Sequence, residues 1–148
     1  MPRRLVLIFV ATSLGFAPAP FQKTDRRRQA EDLTDVAGTW QIRSWEFRGK
    51  KSPRTAELLE IRMTRERFAF VEKKTGYQDD YVMRLNPAAS PPAFVLSVRN
   101  RVEIVGSYRL RNDEMTMIFV EDAREERRPT DFSRPTEYRI ELRRIRRN

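Results

Sequence analysis

The residues Gly38-Thr39-Trp40-Gln41-Ile42-Arg43-Ser44-Trp45-Glu46-Phe47 form the first predicted β-strand and follow a short polar lead-in. A glycine lets the backbone turn tightly into a barrel, and a tryptophan two residues later is large enough to fill the barrel floor. Leu33 and Val36, in the lead-in, are expected to form a short helical turn that covers one end of such a barrel. This stretch therefore predicts a β-barrel in which Gly38 and Trp40 have structural roles.

Beyond Trp40 the apolar residues alternate with polar ones, in short runs that are separated by turn residues. A helical period of 3.6 residues is never sustained long enough for a sizeable helix. Strands are predicted at 39–47, 57–64, 67–73, 77–85, 93–99, 102–110, 114–120 and 136–145. The pattern predicts an all-β fold, namely a single antiparallel barrel of about eight strands.

The alternation also separates an inner face from an outer face on each strand. The residues expected in the core share one face of their strands: Leu59, Ile61, Met63, Phe68, Phe70, Tyr81, Met83, Leu85, Phe94, Leu96, Val98, Val102, Ile104, Gly106, Tyr108, Leu110, Met115, Met117, Phe119, Tyr138, Ile140 and Leu142. The opposite face carries residues suited to water: Glu60, Arg62, Glu103, Arg109, Thr116, Arg139, Glu141 and Arg143.

The composition excludes several classes of function. The chain has 148 residues, enough for one domain with a single core, and contains no histidine and no cysteine. Ser-His-Asp and Cys-His catalysis, zinc held by histidine or thiolate, histidine-ligated haem, iron–sulfur clusters and disulfides are therefore excluded. Carboxylate, lysine, tyrosine and serine chemistries remain, but no catalytic constellation can be assembled from them. The sequence predicts a protein that is not an enzyme and has no cofactor and no metal.

Residues 1–21 have the three parts of a secretory signal peptide. Arg3 and Arg4 form a basic start, an apolar run extends from 5 to 16, and Ala17-Pro18-Ala19 resembles a cleavage site. The sequence therefore predicts an exported protein, located in the periplasm or outside the cell. An uncleaved leader would instead anchor the protein in a membrane.

The remaining chain divides into a mobile basic arm, 22–32, and a barrel domain, 33–148. The net charge is +9, and arginines cluster near both termini, at 26–28 and at 143–147. Basic tails attach to polyanions without sequence preference, so weak polyanion binding is expected. Specific binding of nucleic acid is not expected, because the leader directs the protein away from it.

Two groups of acidic residues invite a catalytic or metal-binding interpretation. Asp79 and Asp80 are neighbours in a predicted strand, so their side chains point to opposite faces and cannot act as a paired acid and base. The acidic residues between 121 and 126 are interspersed with Arg124 and followed by Arg127. Solvated ion pairing is expected there rather than an oxygen-ligated calcium site.

Three motifs resemble those of a known family and occur in the same order. They are Gly38-Thr39-Trp40, then Val105-Gly106-Ser107-Tyr108-Arg109-Leu110 with Asp113 and the alternating Met115 and Met117, and finally Arg128-Pro129-Thr130-Asp131-Phe132. Over residues 33–145 the chain is similar to a lipocalin-like, calycin-type domain family of unknown function that is expanded in planctomycete bacteria. The resemblance implies a barrel and frequent export, with a structural role for Gly106. It transfers no catalytic residue, because the family has no established activity.

The chain departs from the family pattern at three places. Val36-Ala37 stands where the family often has Leu-Gln, Asn112-Asp113 replaces the usual Gly-Asp turn, and methionines replace the leucines that follow it. None of these changes affects the predicted fold.

In calycin-type barrels the tryptophan is a core plug crossed by a basic side chain of the final strand, although it sometimes contacts a ligand instead. Arg144 shares a strand face with Ile140 and Leu142, so it is expected to stack on Trp40. Arg143 would take this place if a bulge shifted the phase.

The predicted interior contains no acidic residue apart from Glu46, which faces inward only if its strand keeps the phase of Trp40. This favours an exported, non-catalytic module that binds a small apolar molecule. The polar groups expected to orient the ligand are Ser44, Tyr81, Tyr108 and Tyr138. The alternative is an envelope adaptor or structural protein, because eight strands enclose a space that side chains alone can fill.

Overall fold

The computed structural model describes residues 35–122 and 124–146. The expected signal peptide at 1–21 and basic arm at 22–32 lie outside these residues, as does Leu33. Within the described part of the chain, no helix is both long enough and apolar enough to cross a membrane.

Most of the described chain is β-structure. The strands are β1 (Gly38–Phe47), β2 (Lys50–Lys51), β3 (Leu59–Met63), β4 (Arg67–Glu72), β5 (Gln78–Asn86), β6 (Ala93–Val98), β7 (Arg101–Arg111), β8 (Glu114–Val120) and β9 (Tyr138–Arg144). A short helix, α1 (Pro53–Leu58), follows β2, and a single 3-10 turn (Glu125–Arg127) lies between β8 and β9. The eight predicted strands are all present, with ends within two residues of the prediction.

Strands β1 and β3 to β9 close into an antiparallel barrel. Each strand from β3 to β8 pairs with the next along the chain, and β9 pairs with β1 from Trp40↔Arg144 to Phe47↔Tyr138. This last pairing removes the free edges that an open sheet would have. The prediction of a single all-β, eight-stranded antiparallel barrel is confirmed.

The barrel wall is completed by a helix between its first two long strands. β1 pairs with β3 only as far as Gln41↔Glu60, and beyond this point α1 lies against both strands. Pro53 begins α1, where its fixed φ suits the first helical turn, and Ala56 is buried in the core. The prediction of a loop at 48–56 is wrong here, because a helix of six residues is too short to show a helical period.

The barrel has two unlike ends. We call the end at which β1 begins and β9 ends the plug end, and the opposite end the mouth. At the plug end Trp40 is 0% exposed, and its Nε1 donates a hydrogen bond to the carbonyl oxygen of Val36 at 3.0 Å. Val36 is itself buried in a short helical turn, so the expectation that Val36 helps to cover this end of the barrel is confirmed.

The inner face of the barrel is filled with apolar side chains over most of its length. The buried cluster consists of Val36, Trp40, Ile42, Ala56, Ile61, Met63, Phe68, Met83, Leu85, Phe94, Leu96, Ile104, Tyr108, Met115, Met117, Phe119, Ile140 and Leu142. It contains most of the predicted core residues, so the predicted phase of β3 to β9 is confirmed except at Val102, which a register shift places opposite Ser97 on the outer phase. Gly106 lies inside as well, and a Cβ at this position would stand 2.5 Å from the Phe94 ring and from the carbonyl oxygen of Ile118.

Part of the outer face is also buried, which the sequence does not predict. Val105, Ser107 and Ile118 lie on the outward phase of β7 and β8 and are 0% exposed. The expectation of a wet outer face is therefore wrong for this region. The predicted polar positions elsewhere remain at least partly exposed, as for Arg109 and Glu141.

The long connection between β8 and β9 lies over Ser107. The Ser107 hydroxyl donates a hydrogen bond to the carbonyl oxygen of Pro129 at 2.6 Å. Arg128 donates from Nη1 to the Ser107 oxygen at 2.7 Å and to the carbonyl oxygen of Pro91 at 2.9 Å. These bonds fix the connection to the barrel wall.

Candidate functional site

Four aromatic side chains line the inner face at the mouth without being fully buried. Trp45 contacts Phe70 with 5.7 Å between ring centres and Tyr138 with 6.1 Å, and Phe70 contacts Tyr81 with 6.1 Å, each edge to face. All four are half-buried and pack against the core cluster. We call Trp45, Phe70, Tyr81 and Tyr138 the mouth aromatics.

Trp45 reaches this surface because β1 contains a bulge. The register against β9 shifts between Ile42 and Ser44, which leaves Arg43 as an extra residue. The inner face therefore passes from Ile42 to Trp45. Ser44 pairs with Glu141 on the outer face, so its expected position inside the barrel is wrong.

The same bulge moves Glu46 out of the interior. Glu46 pairs with Arg139, whose side chain is on the outer face of β9. The conditional expectation of an inward Glu46 is therefore not met. Two acidic residues at the mouth do share the inner phase: Glu72, which pairs with Leu59, and Asp79, which pairs with Phe70 and is exposed at the start of β5.

Tyr138 is held on both sides of its ring. It stacks on Phe119 with 4.9 Å between ring centres and an interplanar angle of 9°, and Phe47 lies 5.0 Å away. Its hydroxyl donates a hydrogen bond to Oε1 of Glu121 at 2.9 Å. Burial, followed by this hydrogen bond, raises the pKa of Tyr138 to about 12. The hydroxyl is therefore a protonated donor throughout the neutral range.

Tyr81 is the second tyrosine at the mouth. Burial raises its pKa, and the negative charges of Asp79, Glu103 and Glu121 raise it further. The mouth thus combines an aromatic surface with nearby carboxylates, which together with burial raise the pKa of both tyrosines.

Tyr108 lies elsewhere. It is 4% exposed, pairs with Met117 in the core, and stands nearer to the plug end than to the mouth. Of the four predicted ligand contacts, the structure places Tyr81 and Tyr138 together around Glu121 and separates them from Ser44 and Tyr108.

Trp45 faces inward, which the alternation that starts at Trp40 does not predict, although the sequence contains a signal for it. Trp40 and Ile42 occupy even positions, whereas Trp45 and Phe47 occupy odd ones. A bulge between the two pairs reconciles both with a single inner face.

Asp122, which follows β8, is paired with arginines. The Asp122 carboxylate accepts hydrogen bonds from Arg124 at 2.9 to 3.0 Å and lies 3.5 Å from Arg127. The bonds from Arg124 hold the pKa of Asp122 well below its usual range. The expected pairing with neighbouring arginines is therefore confirmed for Asp122, whereas Glu125 pairs with Arg84 and Glu121 accepts the Tyr138 hydroxyl. No group of three or more acidic side chains within the described residues is arranged to hold a metal ion.

Asp79 and Asp80 point to opposite faces, as predicted. Asp79 stands opposite Phe70, and the Asp80 carboxylate lies 3.8 Å from Arg67 on the outer side. They therefore cannot form a catalytic pair.

Several clefts open on the outside of the barrel, and two of them contain ion pairs. One, of about 440 Å³, lies above Val95 and Val105, where Arg84 pairs with Glu125 at 3.2 Å. The other, of about 740 Å³, lies at the plug end and includes Asp113 with its arginine partners. Neither reaches the mouth aromatics.

No protein-family model, curated protein or solved structure matches the chain. The function is therefore inferred from the geometry of the mouth.

Proposed function

We propose that this protein is a non-catalytic binding module that holds a small apolar molecule against the mouth aromatics. One observation carries the proposal: four large aromatic side chains share the inner face at one end of the barrel and remain half-buried. Ligand sites are typically concave and apolar, with few polar groups. The mouth aromatics supply the apolar part of such a lining, and the two tyrosine hydroxyls supply the few polar groups.

The ligand is expected to bind at the mouth and not deep inside. Toward the plug end the interior is occupied by buried side chains, including Trp40, Met63 and Phe68. Protein interiors of this kind are close-packed and leave few voids larger than a water molecule. The accessible apolar surface is therefore shallow, which favours a flat or ring-containing molecule.

The rim adds a preference for the ligand's polar group. Tyr138 donates to Glu121, and the carboxylates of Asp79, Glu103 and Glu121 lie close enough to Tyr81 to raise its pKa. A neutral hydrogen-bond donor on the ligand fits this rim better than an anionic group does.

Fluorescence can test this proposal because the chain contains only two tryptophans, one at each end of the barrel. N-phenyl-1-naphthylamine, a neutral aromatic probe, is expected to bind and to quench Trp45 more than Trp40. Trp45→Phe should remove most of the quenching. Trp45→Ala should weaken binding by at least about tenfold, in the range of an interface hot spot.

Val82→Ala is the matched control, since Val82 is an exposed apolar residue on the outer face of the same barrel. It should bind the probe as the wild type does. Equal loss of affinity in both variants, or equal quenching in Trp45→Phe and the wild type, would show that the probe binds elsewhere.

A second candidate is an envelope adaptor or structural protein that binds no small molecule. The packed interior from Trp40 to Phe119 favours it, since eight strands enclose a space that side chains can fill completely. Native mass spectrometry of protein purified from its own source separates the two candidates. A reproducible bound mass supports the binding module, and an apo mass together with recovered protein partners supports the adaptor.

Export and family membership are part of this proposal. The n-, h- and c-regions of residues 1–19 support export, and the order of the three motifs, in a chain that forms a barrel, supports the lipocalin-like family. Mass spectrometry of the mature N-terminus tests export, and an intact Met1 on an intracellular protein would contradict it. Weak polyanion binding by the terminal arginines is the remaining expectation, although Arg144 and Arg146 both pair with Asp113.

A further inference from the structure

Three connections at the mouth carry basic residues and no acidic ones. They join β1 to β2, β4 to β5 and β6 to β7. We call these connections the mouth turns. Seven basic residues lie in the mouth turns or begin the strands that follow them: Arg48, Lys50, Lys51, Lys73, Lys74, Arg99 and Arg101. All seven are exposed, so their charges project from one end of the barrel.

The backbone makes these turns tight. Positive φ occurs at Arg48 and Gly49 in the first turn, at Gly76 in the second, and at Arg99 and Asn100 in the third. Tight turns keep the basic residues close to the barrel end, where they surround the mouth aromatics.

Exposed apolar side chains accompany the basic ones. Phe47 is 38% exposed, Leu58 39% and Tyr77 65%. The Arg48 guanidinium lies 5.0 Å from the Phe47 ring centre, and the Lys73 amide donates to the carbonyl oxygen of Leu58 at 2.9 Å. Apolar and basic groups therefore alternate around one end of the molecule.

Three of the acidic residues at this end are engaged close to the barrel. Glu137 lies 3.9 Å from Arg48, Glu121 accepts the Tyr138 hydroxyl, and Glu72 accepts the hydroxyl of Thr75. Asp79 and Glu103 lie within strands β5 and β7, whereas the basic residues named above lie in the mouth turns or begin the strands that follow them.

We propose that the mouth end docks on the surface of an anionic lipid bilayer. Basic residues near an anionic membrane each strengthen partitioning by roughly fivefold, and aromatic side chains favour the headgroup region. The mouth turns supply the first property, and Phe47, Leu58 and Tyr77 supply the second. This inference goes beyond the proposed function and does not require a ligand in the mouth.

The test uses single-cysteine labelling of the full chain, which contains no cysteine of its own. An environment-sensitive dye is attached at Tyr77→Cys in the mouth or at Ile145→Cys near the plug end. With vesicles of phosphatidylglycerol and phosphatidylcholine in equal parts, the dye at position 77 should shift to the blue and become shielded from a water-soluble quencher. The dye at position 145 should stay in water. Equal shielding at both positions would overturn the proposal, because a leader alone could then account for binding.

Charge variants provide the second measurement. Lys73→Gln/Lys74→Gln should lower partitioning onto these vesicles roughly twenty-five-fold, which is two fivefold effects combined. Arg111→Gln/Arg143→Gln removes the same charge from exposed positions at the plug end and should change partitioning less than about twofold. Circular dichroism checks that both variants are folded.

Three results would refute the docking surface. The first is equal partitioning onto pure phosphatidylcholine vesicles, and the second is an unchanged value for Lys73→Gln/Lys74→Gln. The third is binding of a soluble polyanion such as heparin through the mouth turns without vesicle binding, which would assign the surface to a soluble acidic partner.

Discussion

The guanidinium of Arg144 lies 4.4 Å from the centre of the Trp40 ring. The same group donates to the carbonyl oxygens of Ala37, at 2.5 Å, and of Asp35, and its Nε lies 3.5 Å from the Asp113 carboxylate. One side chain of the last strand thus ties the entry of the first strand to the turn between β7 and β8. The plug end therefore connects the start of β1, the end of β9 and the turn between β7 and β8, and it also shields the core from solvent.

Replacing the plug should destabilise the whole domain. Trp40 is completely buried and donates a hydrogen bond to Val36, so Trp40→Ala is expected to cost about 3–5 kcal/mol of unfolding free energy. Chemical denaturation measures this value. Trp45→Ala, which removes a half-buried indole at the mouth, should cost less, and a Trp40→Ala loss within about 1 kcal/mol would mean that the plug end is not a packed core.

The stacked arginine should matter less than the tryptophan beneath it. Arg144→Ala removes a cation–π contact and leaves two backbone carbonyls without their donor, so a loss of about 1–3 kcal/mol is expected. Arg143→Ala is the control, because Arg143 is exposed on the opposite face of the same strand, and it should stay within about 0.5 kcal/mol of the wild type. Equal losses in the two variants would contradict the specific role of Arg144.

The barrel could be predicted because its signals are local and regular. Strict alternation from β3 to β9 identifies the inner face, and the face shared by Arg144 and Leu142 predicts which basic residue meets Trp40. These inferences need only the two-residue period of a strand.

The features that escaped prediction depend on tertiary contacts. The bulge at Arg43 can be recognised only when β1 is aligned against β9. It places Ser44 on the outer face and Trp45 on the inner face. The burial of Ser107 depends on Arg128, 21 residues away in sequence. A helix as short as α1 is stabilised by packing against the barrel and not by its own period.

Gly106 should not tolerate even a methyl group. A Cβ there would approach Phe94 and the Ile118 carbonyl oxygen to 2.5 Å, so Gly106→Ala is expected to cost about 3 kcal/mol or more. Gly76→Ala is the comparison, since its Cβ would meet nothing within 4 Å and only its φ of +73° is unfavourable, at about 1 kcal/mol. Thermal or chemical unfolding of both variants measures these two losses of stability. A smaller loss for Gly106→Ala than for Gly76→Ala would contradict the prediction.

The raised pKa of Tyr138 predicts a loss of stability at alkaline pH. The folded protein holds the phenol proton more tightly than the unfolded chain, whose tyrosines titrate near pH 10. The contribution of Tyr138 is therefore complete below about pH 10 and is lost as the pH rises to about 12. Denaturation curves across this window should show a steeper loss for the wild type than for Tyr138→Phe.

Glu121→Gln separates the two causes of the Tyr138 shift. Burial remains in this variant, but the charged hydrogen-bond partner is removed, so the pKa of Tyr138 should fall part of the way toward its usual value. Absorbance of the tyrosinate band during an alkaline titration measures this change. An unaltered titration would mean that Glu121 does not contribute.

The connection between β8 and β9 should detach when its clamp is removed. Arg128→Ala eliminates the donor to Ser107 and Pro91, and it leaves the fully buried Ser107 hydroxyl with one partner fewer. The expected cost is about 1–3 kcal/mol, since the bonds come from a charged donor in a partly buried place.

Hydrogen exchange should locate the effect. Amides between 124 and 137 are expected to exchange at least about tenfold faster, which corresponds to about 1.4 kcal/mol of local stability, whereas amides of β3 and β4 should keep their protection. Arg127→Ala is the matched control, because Arg127 is an exposed neighbour that pairs only at 3.5 Å with Asp122. Faster exchange of the same amides in Arg127→Ala would show that general loss of positive charge, and not the Arg128 clamp, controls how the connection is held.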